Sequence, residues 1–147
     1  MSLKDRLLED MKAAMKQKDS VKKNTIQMTR AAILQVEKDQ KITLDDEAVI
    51  EVIVKEVKKR KSALPDYEKS GRQDLIDVLN REAEILQSYL PRQMSEQELE
   101  DIVKQTIEGV GASSMKDMGK VMAVLMPKVR GRADGNVVNG FVKKFLT

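Results

Sequence analysis

An all-α chain, with an N-terminal bundle of about four helices followed by a small three-helix domain, is the fold the sequence predicts. Apolar residues recur every three or four positions along nearly the whole chain, and no segment keeps the strict alternation of a strand. Punctuation also changes partway: six of the seven glycines (109, 111, 119, 131, 135 and 140) follow Pro91, and only Gly71 precedes it. With 147 residues the chain has room for one ordinary domain or two small ones.

The first helix opens behind Ser2, an N-cap with Asp5 three residues on, and carries Leu3, Leu7, Leu8, Met11, Ala14 and Met15 on one face. The second starts near Asp19 or Ser20 and turns Ile26, Ile33 and Val36 inward. A third begins after Thr43, whose hydroxyl is the expected cap, with Asp45, Asp46 and Glu47 favoured by the helix dipole. Its inner stripe is expected to be Ile50, Ile53, Val54, Val57 and Leu64. Pro65 should kink or end it, because the ring clashes with the preceding turn and the amide donor is missing, and Gly71 supplies a stop.

The fourth helix carries Leu75, Ile76, Leu79, Ala83, Leu86 and Leu90 and ends where Pro91 disfavours helical geometry at Leu90. Residues 91–94 form the join, so the expected domains are 1–90 and 95–147. "SEQE" is a capping box of Ser95 and Glu98 that opens a fifth helix with Leu99, Ile102, Val103, Ile107 and Val110. Ser114 with Asp117 caps the sixth, whose stripe is Met115, Met118, Val121, Met122, Leu125, Met126 and Val129. Asp134 caps the seventh, which presents Val137, Val138, Phe141, Val142, Phe145 and Leu146.

Composition removes several chemistries. With no cysteine and no histidine, disulfides, thiolate zinc sites, cysteine nucleophiles, Ser-His-Asp triads and HExxH metal sites are all excluded. Glycine spacing offers no dinucleotide or Walker loop, and the acidic clusters are helix starts without calcium-loop spacing. Neither catalytic residues, nor a metal site, nor a cofactor is expected. The N-terminus alternates charge with apolar residues where a signal peptide needs an unbroken apolar core, and no run has membrane-spanning length. A soluble, cytoplasmic protein without membrane contact is the expectation.

Charge is uneven although the net value is only +3. Residues 113–147 hold seven bases (Lys116, Lys120, Lys128, Arg130, Arg132, Lys143 and Lys144) against two acids, whereas residues 91–112 hold two bases against five acids. Two readings stand side by side: a phosphate-binding surface, and a solvated face. The turn "RGRADG" is open in the same way. Gly131 can take the left-handed conformation after a helix, Asp134 can cap the next one, and Gly135 permits close approach, which makes a corner; only the arginines need another role. Arg132 has no packing role in this reading. A second basic run, "KEVKKRK" at 55–61, points around its helix and reads as solvated surface beside Glu51 and Glu56. Aromatics are confined to Tyr67, Tyr89, Phe141 and Phe145, with both Phe on an apolar face, so any RNA contact should grip folded RNA by shape and phosphates.

The C-terminal "MGKVMAVLMPKVRGRADGNVVNGFVKKFL" resembles the signature of the GatB/YqeY family, with the stand-alone YqeY branch nearest. Gly119, Lys120, Val121 and Met122, then Gly131, Arg132, Ala133 and Asp134, then Val138 and Asn139 carry the likeness, and "YLPRQMSEQEL" is similar to the join in such chains. The same unit resembles the tail domain of the B subunit of the glutamine-dependent aminoacyl-tRNA amidotransferase, a helical tRNA-contacting appendage. That resemblance implies a non-catalytic tRNA-binding or tRNA-metabolism accessory, partnered by tRNA and by an amidotransferase or aminoacyl-tRNA synthetase. The carbon–nitrogen ligase label of the family belongs to a catalytic cradle absent from this sequence. An accessory subunit in amide transfer and a protein-interaction adaptor are the alternatives.

Overall fold

A computed structural model describes all 147 residues as seven α-helices and one 3-10 turn, with no strand. The helices are α1 (Leu3–Lys16), α2 (Ser20–Gln40), α3 (Asp46–Ser70), α4 (Gln73–Gln87), α5 (Glu96–Val110), α6 (Met118–Val129) and α7 (Gly135–Leu146); the 3-10 turn is Met115–Asp117. They gather into two compact units, Met1–Leu90 and Pro91–Thr147. Residues 91–94, expected as a join, pack within the second unit, where Met94 touches its core.

In the first unit Leu7, Ile26, Ile33, Val49, Ile53, Val57 and Leu86 meet in one core. Each such side chain contributes about 1.5–3 kcal/mol when fully buried. Buried polar groups are answered locally: Thr25 and Thr29 donate their hydroxyls to the carbonyls of Val21 and Thr25. Tyr89 is buried, donates its hydroxyl to Asp10 and lies under the Arg6 guanidinium. Burial, then the bond to Asp10, pushes its phenol well above the ordinary range.

Glu37 ties three segments together. Its Oε2 accepts from Lys4 Nζ of α1 at 2.7 Å and from the amide of Leu44, ahead of α3, at 2.8 Å.

Several expectations fail in this unit for identifiable reasons. Asp45, not Thr43, caps α3, its carboxylate accepting from the Ala48 amide at 2.9 Å. Pro65 does not end the helix, which runs on to Ser70, whereas the stop at Gly71, whose φ is +70°, falls where the sequence places it. Pro65 and Lys61 both face solvent, so water can take the carbonyl that loses its donor. The buried stripe of α3 is Val49, Val52, Ile53, Glu56, Val57 and Arg60, leaving Ile50, Val54 and Leu64 half-buried. Glu56 and Arg60, read as solvated surface, are therefore interior. Met15 is likewise exposed rather than inward.

The second unit has its own core of Leu99, Val103, Val121, Leu125, Val129, Val138, Val142 and Leu146. Phe141 and Phe145 pack against it and stack on each other, centroids 6.1 Å apart at 17°. Ser95 caps α5, its hydroxyl accepting from the Glu98 amide, while the Glu98 carboxylate accepts from Arg92 at 3.1 Å. Ser114 caps the 3-10 turn rather than α6 itself, and Asp117 accepts from the Ser113 amide. Met115 and Val137, expected inside, are exposed.

Candidate nucleic-acid interface

The corner between α6 and α7 sits at the centre of the motif. Helix α6 stops at Val129; Arg130 then adopts φ −55°, ψ 126°, and Gly131 φ +75°. The Arg132 amide donates to the Val129 carbonyl at 2.8 Å. These values define a type II turn, whose third residue requires a positive φ and so favours glycine. Asp134 then caps α7, its carboxylate accepting from the Asn136 amide at 2.7 Å.

Three bonds fasten this corner to the segment before α5. The Gln93 side-chain amide donates to the Gly131 carbonyl at 2.7 Å, and the Met94 amide donates to the Arg132 carbonyl at 2.8 Å. Arg132 Nε donates to the Arg92 carbonyl at 3.0 Å. The expectation that Arg132 has no structural role is therefore corrected: one edge of its guanidinium clasps the chain. A groove of about 360 Å³ lies beside the corner, lined by Gln93, Met94, Glu96, Leu99, Arg132 and Val137 among others.

Of the sequence-chosen bases, Lys116, Lys120, Lys128, Lys143 and Lys144 are exposed, while Arg130 and Arg132 are half-buried. Lys120 and Lys128 lie two turns apart on α6, with the exposed Val124 between them, and Lys116 precedes them in the 3-10 turn. Lys143 and Lys144 close α7, where positive charge also suits the helix C-terminus. Lys144 lies over the Phe145 ring at 5.6 Å, as does Lys104 of α5 at 5.0 Å. Lys104 was missed by sequence reasoning because residues 91–112 are acidic overall, and nothing local signals that α5 packs on α7.

The motif residues divide by role. Gly131 is buried and needs its positive φ, and Ala133 packs on the core. Gly119, Gly135 and Gly140 have nothing within 4 Å of where a Cβ would stand. Close approach at Gly135 is thus not what the fold uses. Asn139 is half-buried on α7. No helix is long and apolar enough to cross a membrane.

Similarity to known proteins extends along the whole chain. A family model described as Yqey-like protein matches residues 4–146. "Altered inheritance of mitochondria protein 41, mitochondrial" of Pyrenophora tritici-repentis is 30% identical over 131 residues, 87% of this chain and 71% of that protein. Its namesake in Vanderwaltozyma polyspora is 34% identical over 119 residues, covering 76% of this chain and 64% of the relative. A glutamyl-tRNA(Gln) amidotransferase subunit of Thermococcus gammatolerans is 42% identical over 55 residues, 35% of this chain and 9% of that much longer protein. Relatives matched over most of the chain carry mitochondrial names, and that finding overturns the cytoplasmic expectation.

Proposed function

The chain belongs to the YqeY-like family, and on that premise we propose that it is a non-catalytic accessory of tRNA metabolism that holds folded RNA against its C-terminal unit. The observation that carries the reading is the local excess of five positive charges over residues 113–147, with five of the seven bases at the surface. Phosphate contacts of this kind position a folded RNA without reading its sequence. Packing of Phe141 and Phe145 against the core argues against a base-stacking platform. The 55-residue likeness to an amidotransferase component supports an aminoacyl-tRNA amidotransferase as the enzyme served. Transfer of a binding role between such units is by analogy, since function follows sites rather than folds.

The test is tRNA affinity of the wild type beside a Lys116→Ala, Lys120→Ala, Lys128→Ala variant. All three side chains are exposed, so the variant keeps its core. Severalfold weaker binding by a variant that melts like the wild type supports the reading; equal affinities contradict it.

A further inference from the structure

We infer that the RNA contact extends beyond residues 113–147 onto α5, where Lys104 and Lys144 form a phosphate clamp organised by the ring of Phe145. The inference rests on the tRNA-binding reading above and names a part of the surface which that reading does not contain.

The two ammonium groups come from different helices, 40 positions apart in sequence, yet both lie over one ring, at 5.0 and 5.6 Å from its centroid. Cation–π attraction favours each placement separately. Both charges therefore stand around one ring, near enough to each other to meet the same stretch of phosphate backbone. The ring itself is steady, because Phe145 packs on the core beside its stacked neighbour Phe141. A lysine already held in place loses less rotamer freedom when it meets a ligand than one extended freely into water.

Two further features fit a phosphodiester. Gly140 lies one turn before Lys144 on the same row of α7, and nothing stands within 4 Å of where its Cβ would be, so the helix backbone there is open to close approach. Glu100 pairs with Lys104 at 3.2 Å across one turn of α5, a partly exposed ion pair within one helix, of a kind that contributes little. A phosphate competes with that carboxylate for the same ammonium. Loss of the carboxylate should therefore favour the RNA.

The test uses the full chain, a tRNA transcript and two salt concentrations. Lys104→Ala and Lys144→Ala should each weaken binding severalfold at low salt and make the log–log salt slope shallower by about 0.7–0.9, the value for one lost phosphate contact. Glu100→Gln should strengthen binding. Phe145→Leu keeps both lysines but removes the ring that gathers them, and should weaken binding too; should it unfold, the lysine variants decide alone. If the wild type binds tRNA while Lys104→Ala and Lys144→Ala match it at both salt concentrations, the clamp is overturned and the broader reading survives. If the wild type does not bind tRNA, both fall.

Discussion

Arg60 of α3 donates from Nε to Glu82 of α4 at 2.7 Å and from Nη1 to the Glu56 carboxylate at 3.1 Å. Only 6% of the Arg60 side chain and 9% of the Glu56 side chain are exposed, and Glu82, at 21%, is half-buried, so the triad joins the two helices from the interior outward. Arg60→Ala would remove the bond to Glu82 and leave the buried Glu56 carboxylate with only the Lys59 ammonium, 3.4 Å away. Removing one partner of a buried ion pair typically costs about 3–5 kcal/mol. Urea denaturation of Arg60→Ala should show a loss toward the lower end of that range, because Lys59 still answers Glu56 and Glu82 reaches water, and a variant that also carries Glu56→Gln and Glu82→Gln should recover part of it.

Glu37 makes stability depend on pH. Its bond from the Lys4 ammonium, then its bond from the Leu44 amide, holds the carboxyl below the ordinary value of 4.5. A depressed carboxyl adds stability above its unfolded value and loses it as pH falls through the folded one. Glu37→Gln should therefore lower the melting temperature at pH 7, and the gap to wild type should close as the pH is taken well below 4.5.

The corner at "RGRADG" yields a graded series. Gly131→Ala forces a Cβ onto φ +75° and should cost about 1 kcal/mol or more. Asp134→Ala removes the α7 cap, at about 1 kcal/mol. Arg132→Ala breaks one partly exposed hydrogen bond to the Arg92 carbonyl, worth about 0.5–1.5 kcal/mol. Thermal melts of the three, with a neutral Arg132→Ala, would return that arginine to a role in binding alone.

Gly119 and Gly140 point the other way. Both sit inside helices with ordinary backbone angles and open space around them. Alanine at either should stabilise by about 0.5–1 kcal/mol by restricting the unfolded chain. A higher denaturation midpoint at an unchanged slope is the signature.

What the sequence disclosed, and what it hid, follows interaction range. Ser2, Ser95 and Asp134 were legible as caps because a hydroxyl or carboxylate reaches amides only two or three residues ahead. The start of α3 was misplaced because Thr43 and Asp45 are both competent caps, and only the hydrogen bond chooses between them. Arg60 was read as solvated because Glu82 lies 22 residues away on another helix. Arg132 found a carbonyl 40 positions distant, and Lys104 a ring on a helix it does not adjoin in sequence. Of the candidate interface, the turn and the charge excess were visible in the sequence, whereas the fastening of the corner and the α5 lysine needed packed helices.

The salt dependence of tRNA affinity measures whether the C-terminal unit binds RNA through phosphates. Each phosphate neutralised contributes about −0.7 to −0.9 to the slope of log affinity against log salt. Wild type should give a slope of several such contributions, and replacing Lys116, Lys120 and Lys128 by alanine should flatten it by about two to three slope units. A tRNA affinity that is absent, or that is the same for both proteins and insensitive to salt, would contradict binding through phosphates.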